Sequence, residues 1–151
     1  MSQETLYFDD LKVGDTFITG TYEVSAAAIK RFAAEFDPQP FHLDDDAARG
    51  TLFGGLAASG WHTAAITMRL LVSEGPKLAN GVLGAGAEIE WKMPTRPGDA
   101  LHVESEVVEL IPSRSRSDRG MLVLRSRTLN QRGEVVQNLS AKLIVARRPA
   151  A

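Results

Sequence analysis

Between Gly60 and Glu74 the chain places apolar side chains on almost every side of a helix. Trp61, Ala64, Ala65, Ile66, Met68, Leu70, Leu71 and Val72 fall within about four turns. A helix that is apolar all round belongs in an interior, because no face of it can be left to water without cost. Ser59 stands where a capping hydroxyl is wanted, and Gly75-Pro76 stops the helix. One such helix must be covered from several directions at once. That requirement limits what the rest of the chain can be.

The rest supplies strands. From residue 81 the apolar pattern changes to period two. Val82 to Met93 reads as one strand, and Pro97-Gly98-Asp99 turns the chain into a second, Leu101 to Ile111. Leu101 and Val103 share a face, whereas Val108 and Leu110 lie on the opposite parity, which predicts a β-bulge. Pro112 to Gly120 is a polar loop carrying Arg114, Arg116 and Arg119. Met121 to Leu129 and Val135 to Val145 form a hairpin around Asn130-Gln131-Arg132-Gly133, with Val135, Leu139, Ala141, Leu143 and Val145 on one face.

Before the long helix, Val13-Gly14-Asp15 is a turn and Phe17 to Val24 a strand. Residues 25–36 form a short helix capped by Ser25, with Ile29, Phe32, Ala33 and Phe36 on its apolar face. Asp37-Pro38-Gln39-Pro40 ends it, since each proline disfavours helical geometry in the residue before it. Residues 43–58 are loop with a short helical turn, and the tail Arg147-Arg148-Pro149 is expected to fray. The expected architecture is α+β: a curved antiparallel sheet wrapping most of one long helix, with a second subunit covering the remainder. The 151 residues fit one domain, since domains run to roughly 100–200 residues.

Composition removes several functions. There is no cysteine, so disulfides, zinc fingers, redox dithiols and thiol nucleophiles are excluded together. The formal charge of −2 gives no general attraction to nucleic acid. No apolar run reaches the roughly 20 residues of a membrane span. The first residues are acidic and lack an apolar signal core, so a cytoplasmic protein is expected.

Two stretches carry chemistry. In Asp37-Pro38-Gln39-Pro40-Phe41-His42, an acid and an imidazole stand five residues apart on a segment stiffened by two prolines. Fixed relation is what general acid–base work needs; equally, Asp37 can end a helix and His42 fill a gap. In Ala58-Ser59-Gly60-Trp61-His62, the mouth of the long helix offers unpaired N–H groups and the positive end of its dipole. Gly60 would let a ligand approach the backbone, making an oxyanion site; equally, Ser59 can be an ordinary cap and Gly60 a packing glycine. His62 reads as packing and His102 as a surface residue. Asp44-Asp45-Asp46 lacks the ligand alternation of a calcium loop and reads as a solvated charge run, and the three histidines make no metal set.

The run Phe36 to Ala48 resembles the hydratase motif of the MaoC-like, R-specific enoyl-CoA hydratase family. That motif reads aspartate, any residue, asparagine, proline, aliphatic residue, histidine, then five residues and a small one. Here it reads Asp37, Pro38, Gln39, Pro40, Phe41, His42, with Ala48 in the small position. Phe36 stands where glycine is usual, Gln39 replaces asparagine, and Phe41 replaces an aliphatic residue. Phe8 to Asp15, Gly55 to Trp61 and Arg96-Pro97-Gly98-Asp99 fit the same order, so the resemblance covers nearly the whole chain.

The resemblance implies a hot-dog fold, a homodimer, and a substrate carried as a thioester on coenzyme A or acyl carrier protein. It makes Asp37 and His42 the catalytic pair and Gly60 the residue whose N–H faces the thioester oxygen. Ser59 and Trp61 then flank the substrate, and Arg114 and Arg116 suit the phosphates of coenzyme A. No metal or redox cofactor is called for. A hot-dog thioesterase and a non-catalytic acyl-thioester-binding module are the competing readings. The thioesterase is disfavoured because the long helix carries an acid, Glu74, only at its far end.

Overall fold

In chain order, a single 3-10 turn at Phe8–Asp10 precedes β1 (Thr16–Ile18), β2 (Tyr22–Glu23), α1 (Ala26–Phe36), α2 (Pro40–Leu43), α3 (Asp45–Arg49) and α4 (Gly60–Glu74). Then come β3 (Leu83–Trp91), β4 (Ala100–Pro112), β5 (Arg119–Leu129) and β6 (Val135–Ala146). The computed structural model describes residues 4–150, so the outermost residues of the expected 1–151 domain lie outside it. The strands make one antiparallel sheet in the order β1-β4-β5-β6-β3, with β2 also pairing with β4. The sheet wraps α4, which is the hot-dog fold.

The phase change inside β4 is a bulge: the pairing with β5 slips between Val107 and Glu109. This turns Val107 inward and leaves Val108 exposed. A second slip, between Thr128 and Leu129, moves Val136 and Gln137 into the interior, so Val135 does not continue the buried face of Leu139 and Leu143. The expected strand from Phe17 to Val24 is broken. Thr19 turns its hydroxyl to accept the Val103 N–H at 2.9 Å, a side chain standing in for the ladder, and β1 and β2 pair with separate parts of β4. The segment 43–58 holds the short helical turn expected there, α3; the unexpected element is α2, one turn opened by Pro40 just before it. Asp44 caps α3, accepting from the N–H groups of Asp46 and Ala47. The tail is pinned by Arg147 to Asp9 at 3.0 Å and by Arg148 to Asp10 at 2.8 Å.

The two sides of α4 are the reverse of a simple amphipathic helix. Its sheet-facing side carries threonines as well as Ile66, Leu70 and Leu71. Thr67 bonds Thr128 at 2.6 Å and receives the Gln137 amide at 3.0 Å; Thr63 bonds Thr95 at 2.9 Å. Gln137 in turn accepts from the Trp91 indole at 2.9 Å. Buried hydroxyls are tolerated because each has a partner. The outward side is apolar: Trp61, Met68 and Val72 are 60%, 44% and 63% exposed. One chain therefore covers only half of the helix that most constrained it.

Gln137 is fully buried and joins Trp91 to Thr67. Gln137→Leu should remove both the acceptor of the Trp91 indole and the donor to Thr67 and cost about 1–3 kcal/mol. Urea denaturation followed by tryptophan fluorescence would show this as a lower midpoint at unchanged slope; an unchanged midpoint would mean the link does not support the fold.

Candidate active site

The joint between α1 and α2 brings the acid and the imidazole together. Asp37 terminates α1, its N–H bonding the Ala33 carbonyl at 2.8 Å. Pro40 opens α2, where its missing N–H costs nothing. One turn of α2 swings His42 back, and its Nε2 lies 3.4 Å from Asp37 Oδ2. His42 is 4% exposed, while the Asp37 side chain keeps a narrow opening.

The hydrogen bonds around the pair show which ring nitrogen of His42 carries a proton. His42 Nδ1 lies 2.6 Å from the Ala57 carbonyl, which can only accept, so Nδ1 carries a proton. In the neutral ring, Nε2 then presents a lone pair to Asp37. Burial pushes the Asp37 carboxyl up, but hydrogen bonding from Ser59 and Gln39, joined by the attraction of His42 whenever its ring is charged, outweighs it. The group sits below its ordinary value of 3.8 and is ionised at neutral pH. A carboxylate and a bare ring nitrogen cannot bond each other directly. The 3.4 Å separation leaves no room for a water between the two atoms, but one seated to the side of both could donate a hydrogen to each.

A cavity of about 370 Å³ opens beside the pair, lined by His42, Phe53, Gly60, Thr63, Trp91 and Thr95 among others. A larger hollow of about 670 Å³ lies on the outer face of the sheet. Its carboxylates are each held by an arginine, Glu106 by Arg125 and Glu104 by Arg127, both at 2.8 Å, so it offers no free base.

Gly60 begins α4, and its N–H has no protein acceptor among the described residues. The expected open space above its Cα is absent. A Cβ there would lie 2.5 Å from the Trp91 ring, so glycine at 60 is required by packing. The two readings of Gly60 are thus compatible: the indole occupies the Cα side and the N–H remains available. Ser59 is fully buried; its hydroxyl accepts from Trp61 N–H at 3.3 Å.

Trp61 lies on the exposed stripe with its ring edge-on to Trp91 at 5.2 Å. Arg114 and Arg116 are exposed in the loop after β4. That loop is at the other end of a 13-residue strand from Asp99 and Thr95, about 40 Å along the chain direction at roughly 3.3 Å per residue. Within one chain they do not meet the pair. His62 is buried, stacked on Phe32 at 4.6 Å, and its Nδ1 has no partner; burial and the nearby Arg31 depress its pKa. His102 bonds Glu104 at 3.0 Å. No three His, Asp or Glu side chains gather as a metal set among the described residues, and no helix there is long and apolar enough to cross a membrane.

Residues 11–125 match the family described as MaoC like domain. The chain belongs to this family. A 3-hydroxybutyryl-CoA dehydratase of Methylorubrum extorquens is 36% identical over 113 residues, 74% of this chain and 70% of that one. A solved MaoC-like dehydratase from Rhodospirillum rubrum is 63% identical with a TM-score of 0.94, covering 96% of this chain and 99% of that one. The R-hydratase PhaJ1 from Pseudomonas aeruginosa is 28% identical with a TM-score of 0.74, covering 95% and 86%.

The departures of this MaoC-like domain from the family motif have visible consequences. Gln39 keeps an amide on Asp37, Nε2 to Oδ1 at 2.5 Å. Phe41 packs its ring against His42 at 4.6 Å and Phe53 at 5.0 Å. Phe36 packs at a tilt against Phe32, ring centres 5.1 Å apart, and is otherwise exposed. Trp91 and Gln137 had no sequence signal beyond strand periodicity, since their meeting depends on a bulge and a distant strand. Gly60→Ala should overpack the Trp91 contact and cost about 1–3 kcal/mol. In a Trp91→Ala background the same change should cost much less, and equal costs in both backgrounds would remove the contact as the cause.

Proposed function

We propose that the chain interconverts R-3-hydroxyacyl-CoA and trans-2-enoyl-CoA plus water, with Asp37 and His42 as its catalytic pair. The observation that carries this reading is the 3.4 Å approach of Asp37 Oδ2 to a His42 Nε2 whose ring is oriented by the Ala57 carbonyl. The dehydratase and R-hydratase names of the relatives support the same class of reaction. A water held by its hydrogens to one side of the two groups has its oxygen free for carbon. Asp37 takes a proton as that oxygen bonds to C3 of the enoyl group. The double-bond electrons move toward the thioester oxygen, where the Gly60 N–H and the α4 dipole stabilise the charge. The proton that ends on C2 returns from the Asp37–His42 pair, so water is consumed and the pair is regenerated. Dehydration is the reverse. The reaction needs no metal or redox cofactor, and coenzyme A or acyl carrier protein enters only as the carrier of the acyl group.

A thioesterase is disfavoured by the place of Glu74. It accepts the Gly20 N–H at 3.0 Å at the far end of α4, where it ties the helix to the β1–β2 connection. Turnover of a short 2-enoyl-CoA separates the readings: hydroxyacyl-CoA of R configuration supports hydration, released thiol means a thioesterase, and binding without turnover means a carrier module. Asp37→Asn and His42→Ala should each lower turnover by about 10²–10⁴-fold. Because both hold one water, the double variant should be little worse than the poorer single one. Near-normal hydration by folded Asp37→Asn would remove it as the base.

The partner we propose is a second copy of the chain. β3 is an edge strand whose outer side is unpaired among the described residues; its Trp91 meets Trp61, which shares the exposed side of α4 with Met68 and Val72. A two-fold axis through this edge would pair β3 with its copy antiparallel and bring the two apolar stripes together. It would also carry the Arg114–Arg116 loop, which lies at the Leu83 end of β3, to the end where the other copy's Trp91 and Asp37–His42 sit. There the arginines could meet the phosphates of coenzyme A. Light scattering at micromolar concentration should give a dimer, and Val72→Glu should yield monomer. A monomeric wild type would overturn this assembly.

A further inference from the structure

Arg96 lies in the turn between β3 and β4, and its guanidinium reaches across to the loop before α4. Nη1 donates to the carbonyls of Gly55 at 3.0 Å and Leu56 at 3.2 Å, and Nη2 donates to that of Phe53. No carboxylate lies within ion-pair distance of it among the described residues. Its own backbone is anchored, the N–H donating to Asp99 Oδ2 at 2.8 Å, and the buried Asp99 also accepts from Gln131 at 3.0 Å. The preceding residue grips the same loop further on, with the Ala58 N–H on the Thr95 carbonyl at 2.9 Å.

The gripped segment carries the groups that shape the pair. Ala57 supplies the carbonyl on His42 Nδ1 at 2.6 Å, and the Phe53 ring lies 5.8 Å from the imidazole. Turn bonds to Thr51 from the Phe53 and Gly54 N–H groups and the Ala57 N–H on the Phe41 carbonyl at 3.2 Å also hold this stretch, but the Phe53, Gly55 and Leu56 carbonyls have Arg96 as their partner; Leu52 is fully exposed and Gly54 takes a φ of 66°. A guanidinium has a planar fan of donors that can bridge several carbonyls, which an ammonium cannot do in fixed geometry.

We propose that Arg96 is a positioning residue for the Asp37–His42 pair. By holding the carbonyls of Phe53, Gly55 and Leu56, it sets the Ala57 carbonyl that keeps the His42 proton on Nδ1. If that carbonyl moves, the proton is free to pass to Nε2. Nε2–H would then donate straight to Asp37, and the ring nitrogen could no longer accept from a substrate water. The catalytic consequence rests on the hydratase reading; the structural one does not.

The test compares wild type, Arg96→Lys and Arg96→Met by nitrogen-15 NMR of labelled histidine, with three histidines to assign, alongside circular dichroism and turnover of a short 2-enoyl-CoA. Wild type should show neutral His42 protonated at Nδ1, and both folded variants should show loss of that tautomer. Turnover should fall on the order of 10²-fold, the usual effect of a misplacement of about 1 Å, with KM changing far less than kcat. Added guanidinium should restore part of the Arg96→Met loss. Folded variants with wild-type His42 signals overturn the proposal even if the wild type hydrates its substrate. A shifted tautomer in a protein that hydrates nothing upholds the proposal and overturns the proposed function instead. Should Arg96→Met fail to fold, Arg96→Lys decides by the same signals.

Discussion

The rotation of α4 on the sheet is the constraint on which the other parts depend. Thr67 sits between Thr128 and Gln137, and Thr63 sits against Thr95. Apolar contacts alone would let a helix with apolar residues on every side settle in several orientations. Buried hydroxyls do not, because turning the helix would leave several of them without partners, each at a cost of about 1–3 kcal/mol. Polar pairs inside an apolar layer thus select one orientation. With that orientation, Gly60 lies under Trp91, the open N–H of α4 lies beside the His42 cavity, and Trp61, Met68 and Val72 face outward.

The pair at the α1–α2 joint shows a trade between basicity and position. Hydrogen bonds from Ser59 and Gln39 hold Asp37 below the usual carboxylate range, which weakens it as a base. The same bonds keep it ionised and turned toward His42 Nε2. In the reaction proposed above, the two groups would hold one water by its hydrogens. Its placement would then supply much of what a stronger base would, since proximity and orientation account for a large part of a barrier. A drier, unbonded carboxyl would be more basic but would be protonated more often and free to turn.

Much of this arrangement is legible in the residues before any fold is known. Asp37 and His42 flank two prolines, and prolines restrict the chain wherever they stand, so the stiffness of the joint needed no tertiary information. The shift of apolar parity at Val108 announced the β4 bulge, because strand periodicity is a local property. The break at Thr19 was not legible. A threonine in a β-rich run looks like a strand residue until its hydroxyl finds the Val103 N–H, 84 positions away. The turn of α2 was not legible either: Pro40 reads as a helix breaker to what precedes it, and a four-residue helix is too short to show an apolar period.

The sequence by itself determined that a long helix had to be enclosed, where the strands run, and which acid and imidazole share a stiff segment. These depend on side-chain period, helix stops and proline geometry, all of which act over a few residues. The tertiary structure alone decided which side of α4 meets the sheet, that the space above Gly60 belongs to Trp91, and that Arg96 and Ala57 orient His42. Each of these is a contact between segments distant in the chain. A hydrogen bond or a ring packed on a glycine exists only at a particular separation, and no local pattern in the sequence encodes that separation.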